Sequence, residues 1–297
     1  MKGMAYVDGE YVAPEEAKIS VFATGLIHSE AVYDSVSVWD NQFFKLERHL
    51  DRFERSCAGF HLINPVGRDD LQRILAECVD RSGLDRAMVR MHVYRGPSAQ
   101  MSPDLTDSGD GFYAHATPYT LLWSEETCRA GVNLHIASVQ RISAEAINPH
   151  YKNFQWGDFV QGQRQAHEQG CDDTLLCAAD GSLAEGPGYN IFVVRDGRVA
   201  TPEHNCLEGI TRETAIELCE LEGVPIEVRS VNRQEIQDAD EAFITSSRGG
   251  IVPVIRVNST PLGNGAPGLT TTRLSESYWA RRAEGWHTTS VADILAP

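Results

Sequence analysis

Alternating and helical patterns of apolar residues succeed one another along the chain. Ala5-Tyr6-Val7, the turn pair Asp8-Gly9 and Glu10-Tyr11-Val12 read as a β-hairpin. From Ala31 to Trp39 the alternation predicts a strand, with Val32, Asp34, Val36 and Val38 on one face and Tyr33, Ser35, Ser37 and Trp39 on a hydroxyl-rich other. Leu46, Leu50, Phe53 and Cys57 recur at helical spacing, and Leu71, Ile74, Leu75, Cys78 and Val79 do so again before a stop at Gly83. Period 2 resumes over Ala87–Tyr94 and points Arg90 and His92 the same way as Met88 and Tyr94, either an exposed strand face or the wall of a polar pocket. The Pro/Ser/Asp/Gly-rich stretch from Gly96 to Gly111 is too long for a simple turn and suggests a mobile loop over a site. A strand over Phe112–Tyr119 follows it.

The polar segment Ser124-Glu125-Glu126-Thr127 is the expected domain boundary, dividing the chain into a smaller domain, 1–122, and a larger one, 123–297. Beyond it, a strand over Asn133–Ala137 leads through Ile147–Trp156 into a helix ending at Gly170. Two hairpins turn at Asp180-Gly181 and Asp196-Gly197. A helix carrying Ala215, Leu218 and Cys219 stops at Gly223, and a strand over Glu241–Thr245 runs into the loop Ser246–Gly250. Local hairpins mixed with helices predict an α/β protein of mixed α+β layers over a simple doubly wound sheet.

Composition narrows the function more than the fold. The 297 residues are 42% hydrophobic and 23% charged, ordinary values for a globular chain and long enough for two domains. The net charge is −16 and no Lys/Arg run occurs, which excludes the electrostatic footprint of a nucleic-acid or anionic-membrane partner and favours small-molecule substrates. No apolar run of about 18 residues and no signal-peptide pattern is visible, so no membrane span and a cytoplasmic protein are expected. Seven cysteines without C-x-x-C spacing read as reduced core thiols, not disulfides or zinc ligands, and no metal site is expected.

Lysine is scarce: Lys2, Lys18, Lys45 and Lys152 are the only ones among 26 basic residues. A catalytic lysine works as a neutral amine and needs desolvation, which Tyr151, Phe154 and Trp156 around Lys152 supply; the alternative is a solvated surface lysine. Glu185 stands at an apolar strand end before Gly186-Pro187-Gly188, where a carboxylate needs a cationic or N–H partner if it is not simply an edge residue. Gly209-Ile210-Thr211 at a helix start and Ser246-Ser247-Arg248-Gly249-Gly250 after a strand resemble anion cradles, though ordinary caps and turns look alike. Arg52 on the preceding amphipathic helix could reach the same anion with its forked guanidinium. A lysine for a Schiff base, a carboxylate for a protonated ring nitrogen and a phosphate cradle are together what pyridoxal 5′-phosphate requires.

At this point the chain resembles the class IV, fold type IV, pyridoxal-phosphate aminotransferases. The residues that carry the resemblance are Arg52 in His49–Phe53, Lys152 in Tyr151–Asp158, Glu185 in Ala184–Phe192, and Leu207-Glu208-Gly209-Ile210-Thr211-Arg212, in order, across roughly Met4 to Trp279. Ile19–Phe22, His28-Ser29-Glu30 and Lys152–Asp158 look most like (R)-selective amine transaminases, with branched-chain and D-amino acid aminotransferases as near relatives. The resemblance implies two α/β domains with the cofactor between them, in a homodimer. It implies Lys152 as Schiff-base lysine and proton carrier, Glu185 on the pyridine nitrogen, Leu207 against the ring, and Arg52, Gly209, Ile210, Thr211, Ser246 and Ser247 around the phosphate. His28, Tyr33, Arg90, His92 and Arg248 are the candidate substrate contacts, with a satisfied structural histidine as the alternative for His28 and His92.

Departures from the family pattern bear on the substrate. The branched-chain enzymes carry a tyrosine where this chain has Met88, whereas Arg90 matches their arginine that receives an acidic side chain. The loop from Pro97 to Asp110 lacks the arginine with which (R)-amine transaminases hold the keto-acid carboxylate, leaving Arg90 or Arg248 to replace it. The expected reaction passes an amino group from a D-amino acid, (R)-amine or branched-chain amino acid to a 2-oxo acid, pyruvate or 2-oxoglutarate, by a ping-pong mechanism. An aminodeoxychorismate lyase-type elimination and a catalytically silent dimeric binding module are the alternatives.

Overall fold

The computed structural model describes residues 1–98, 104 and 108–296. Most of the expected loop after Gly96 lies outside the described residues. The chain forms two compact units: residues 1–120 with Tyr151–Gln155 and the C-terminal stretch from Gly285, and Leu121–His150 with Trp156–Glu284. The sequence-based division at 122/123 would assign Lys152 to the second domain, whereas its contacts place it in the first.

The first unit is built on a seven-stranded antiparallel sheet in the order 288–290, 42–44, 31–39, 87–95, 110–118, 4–7, 10–12. Helices Leu46–Gly59 and Arg68–Ser82 cover one face, because Leu46, Leu50, Phe53 and Cys57 on one and Leu71, Ile74, Leu75, Cys78 and Val79 on the other line single apolar stripes. They meet Val32, Val36, Val38, Val89, Met91 and Val93, the strand residues of matching parity. Burying each such side chain contributes about 1.5–3 kcal/mol. The opposite face carries Tyr33, Ser35, Arg90, His92, Tyr113 and His115, with Tyr33 paired to His92 and Ser35 to Arg90 across the strands.

The second unit holds a nine-stranded mixed sheet, whose main path runs 226–228, 198–201, 189–195, 241–246, 250–257, 132–140, 173–177. The expected hairpin closes at Asp180-Gly181 through Ala178 N to Ser182 O, Ala184 N to Leu176 O and the Cys177–Leu183 bridge, and the next strand, 185–186, pairs with 189–195. Helices Gly157–Glu168, Ile210–Leu221 and Leu269–Ala283 are its longest, beside the short helices Glu125–Ala130 and Arg233–Gln237. Strand 241–246 reaches Ser246 and the next begins at Gly250, so the expected loop is a tight turn. All seven cysteines are free thiols, and burial pushes those of Cys57, Cys78, Cys206 and Cys219 up to about 12. Among the described residues no helix is long and apolar enough to cross a membrane, and no cluster of three His, Cys, Asp or Glu could hold a metal ion.

Candidate active site

Lys152 is held to the edge of strand Ala31–Trp39 by its own backbone. Its carbonyl accepts from Tyr33 N at 3.0 Å, Phe154 N donates to Ala31 O, and its N–H donates to Ser56 Oγ at 2.9 Å. The Ser56 hydroxyl in turn donates to Arg52 O. A side chain at Gly59 would collide with the Tyr151 ring, so this glycine admits the residue that precedes the lysine. Lys152 Nζ lies 4.4 Å from the centre of the Tyr33 ring, and no described carboxylate pairs with it.

Beneath it sits a charge cluster. Asp34 shares the parity of Val32, Val36 and Val38, so the alternation that buries the valines also buries a carboxylate. Helix Leu46–Gly59 answers with His49 and Arg52, one turn apart. His49 Nδ1 meets Asp34 Oδ1 at 2.7 Å, and Arg52 donates through Nε to Oδ2 and through Nη2 to Oδ1, both at 2.8 Å. Burial alone would raise the Asp34 carboxyl, but Arg52 and His49 outweigh it and hold it below the usual carboxylate range. Burial lowers His49, against the pull of Asp34. The candidate phosphate ligand Arg52 is therefore oriented by Asp34, a residue that the sequence reading placed on a strand face and gave no role.

The sheet face turned away from the two helices carries a stack of rings. His92 lies parallel to Tyr33 at 5.9 Å and to Tyr113 at 4.1 Å between centroids, with Phe154 edge-on to Tyr33 and His92. Burial pushes His92 well below its ordinary value, with His115 and Arg90 adding to it, and burial and Arg90 lower His115 to about 4. His28 is exposed, and its described hydrogen bonds are made by its backbone.

In the second unit, Glu185 is buried and doubly engaged: Oε1 accepts from Arg141 Nε at 3.2 Å and Oε2 from Leu207 N at 2.9 Å. Arg141 also donates through Nη1 to Asp158 at 2.6 Å and stacks on Phe159, with the guanidinium carbon 4.3 Å from the ring centre. Asp158 accepts from Ile142 N and Phe159 N. Arg141 was not singled out in the sequence; an arginine closing a strand offers no signal until its partners are known.

Helix Ile210–Leu221 starts at Gly209 without a side-chain cap, and its first i→i+4 bond runs from Glu213 N to Gly209 O. The Ile210 and Thr211 N–H groups precede that ladder and are available to an anion. Asn190 Nδ2 donates to Leu207 O at 2.8 Å, tying the turn to the sheet. A Cβ on Gly209 would collide with Asn190 Oδ1. Strand register sets Thr245 opposite Asn190, and the buried Thr245 hydroxyl has no partner among the described residues. Ser246 has the opposite parity: its hydroxyl donates to Gly188 O at 2.9 Å and accepts from Arg248 N, which holds the turn together. Arg248 Nη2 approaches Leu121 O. Alternation along 245–247 was the available signal separating Thr245 and Ser247 from Ser246.

Comparison with known proteins agrees with these features. The family model for class IV amino-transferases matches residues 31–257. The chain is 29% identical over 276 residues to the putative branched-chain-amino-acid aminotransferase of Methanocaldococcus jannaschii, covering 92% of this chain and 94% of that protein. It is 27% identical to the branched-chain-amino-acid aminotransferase of Pseudomonas aeruginosa, over 93% of this chain and 92% of the other. Among solved structures, the branched-chain amino acid aminotransferase of T.th. with pyridoxamine 5′-phosphate superposes with a TM-score of 0.91 at 27% identity, covering 98% of this chain and 99% of that one. The branched-chain aminotransferase of Thermoproteus uzoniensis with norvaline gives 0.88 at 28% identity, over 97% and 99%.

Proposed function

The chain belongs to the class IV aminotransferase family, and from this premise we propose that it is a pyridoxal 5′-phosphate-dependent enzyme moving an amino group from a branched-chain amino acid to a 2-oxo acid. The observation that carries the reading is Lys152: its backbone is strapped to the sheet and its amine lies over a ring without a carboxylate partner among the described residues. The donor set suits a phosphorylated pyridine aldehyde, with one unpaired amine, one buried carboxylate, and a helix start whose N–H groups and Thr211 hydroxyl suit a dianion.

When bound, this cofactor supplies an aldehyde that takes up amines and a protonated ring that accepts an electron pair. Lys152 Nζ would hold the aldehyde carbon until the incoming substrate amine displaces it, and the freed amine would carry the proton between the substrate α-carbon and the carbon it has left. Glu185 would hold the ring-nitrogen proton, with Arg141 and Leu207 N fixing its two oxygens. Arg52, Ile210 N, Thr211 and Ser247 would bind the phosphate; Ser246 would support the turn, and Leu207 would pack on the ring. Arg90 would receive the carboxylate of an acidic partner such as 2-oxoglutarate. The exposed apolar run Val21, Phe22, Leu26 and Ile27 supports a homodimer.

A second reading, an (R)-amine or D-amino acid donor, rests on Met88, whose buried thioether replaces a hydroxyl that would hold a substrate carboxylate. A donor panel of L-amino acids, D-amino acids and (R)-amines, with pyruvate and 2-oxoglutarate as acceptors, separates the two. The loaded protein should be yellow and bleach on adding a donor, and Lys152→Ala should lower turnover at least about 10³-fold. A Lys152→Ala variant of undiminished activity defeats the proposal.

A further inference from the structure

The sheet face beside Lys152 contains buried nitrogen atoms that the fold leaves unused. Among the described residues, His92 Nδ1 and Arg90 Nε have no hydrogen-bond partner, and His92 is only 5% exposed. They stand two residues apart on one strand, so their side chains leave the same face. Their cross-strand neighbours leave these two atoms unpaired: Ser35 and His115 flank Arg90, while Tyr33 and Tyr113 flank His92 with ring faces and the imidazole's remaining hydrogen bond is to the Tyr113 backbone. Those parallel rings occupy both faces of the imidazole and leave only its edge for hydrogen bonding. Tyr33 neighbours both the Lys152 amine and the imidazole, so the reactive group and the unused nitrogen share one ring.

Native interiors seldom leave such groups unpaired, and a branched aliphatic side chain resting here would satisfy neither. Resting on the transaminase reading above, we infer that His92 is a specificity-determining residue which, beside Arg90, lets this pocket accept a substrate side chain ending in a carboxylate or carboxamide. Tyr33 and Phe154 supply the apolar surface for the other partner of the exchange. The neutral imidazole adds a directional hydrogen bond that the arginine's charge alone does not provide, and it adds no positive charge beside Arg90.

The test is ligand binding and half-reaction kinetics on the cofactor-loaded protein with His92→Phe, which keeps a stacking ring and deletes both nitrogens, and His92→Gln, which restores a polar end. Glutarate and 4-methylvaleric acid serve as unreactive probes in calorimetry. His92→Phe should weaken glutarate roughly 5- to 100-fold and leave 4-methylvaleric acid unchanged, with His92→Gln recovering most of the loss. In single turnovers the same variant should raise the apparent KM for L-glutamate or L-glutamine and spare that for L-leucine; which of the first two suffers more distinguishes carboxylate from carboxamide. Equal effects on both probes, or none on glutarate, would overturn the role of His92 and make it a packing residue. Absence of transamination by the unaltered protein would instead defeat the functional reading, independently of the glutarate result.

Discussion

Asp34→Asn removes one charge and almost no volume from the cluster beneath Lys152, so its consequences can be worked from the geometry. The carboxylate is wholly buried and takes hydrogen bonds of 2.7 to 2.8 Å from His49 and Arg52, whose side chains are 2% and 5% exposed. The amide accepts through one oxygen only and carries no charge, leaving Arg52 a buried cation without its counter-ion. Breaking a buried pair in this way costs about 3–5 kcal/mol. Against a total stability of about 5–15 kcal/mol, that is enough to lower the melting temperature of the first unit by roughly 10 °C. At pH 7 His49 remains neutral, its affinity for protons already depressed by burial, so it does not add a second unpaired cation. Circular dichroism melts at pH 7 read the loss, and a cofactor titration should show weaker binding because the Arg52 plane is no longer held. The double variant Asp34→Asn/Arg52→Met removes the stranded cation and should recover much of the stability, though not the cofactor affinity. A single variant within about 1 kcal/mol of the parent, or a double variant no more stable than the single, would refute this account.

Two further substitutions probe the second unit. Burial raises the Asp173 carboxyl to about 6, against the Thr174 N–H, Gln163 and His167, which lower it, so the folded state binds a proton that the unfolded chain at that pH has released. Stability then falls as pH rises from about 4 to 6, and Asp173→Asn should stabilise at pH 8 by up to about 3 kcal/mol, a gain that fades below about pH 4 in urea titrations. Gly209→Ala forces a Cβ against Asn190 Oδ1 and disturbs the turn that presents Leu207 N to Glu185. It should cost about 1–3 kcal/mol and weaken cofactor binding, and adding Asn190→Ala should relieve the clash; an undisturbed single variant in the melting assay would contradict the packing.

The local elements follow from the sequence wherever a single periodicity was enough. Alternation over 31–39 and 87–94 and the stripes over 46–57 and 71–79 appear as strands and helices packed through the expected residues. The order Arg52, Lys152, Glu185 and Leu207–Arg212 was sufficient for the family resemblance, because that motif is carried by residue identity along the chain. The role of Asp34 was not readable in this way: a carboxylate among valines looks like an interruption of the pattern until His49 and Arg52 arrive from the neighbouring helix. Arg141, the partner of both Glu185 and Asp158, carries no periodic signal. Nor does position along the chain assign Lys152 to the first unit, since hydrogen bonds of its backbone with Tyr33 N and Ser56 Oγ, and of Phe154 N with Ala31 O, do so across about a hundred residues. Element type is set by the backbone geometry of neighbouring residues, so one chain of letters contains it. Which charge neutralises which, and which nitrogen atoms remain unpaired, depend on distances of about 3 Å between residues remote in sequence, and only the folded chain sets those.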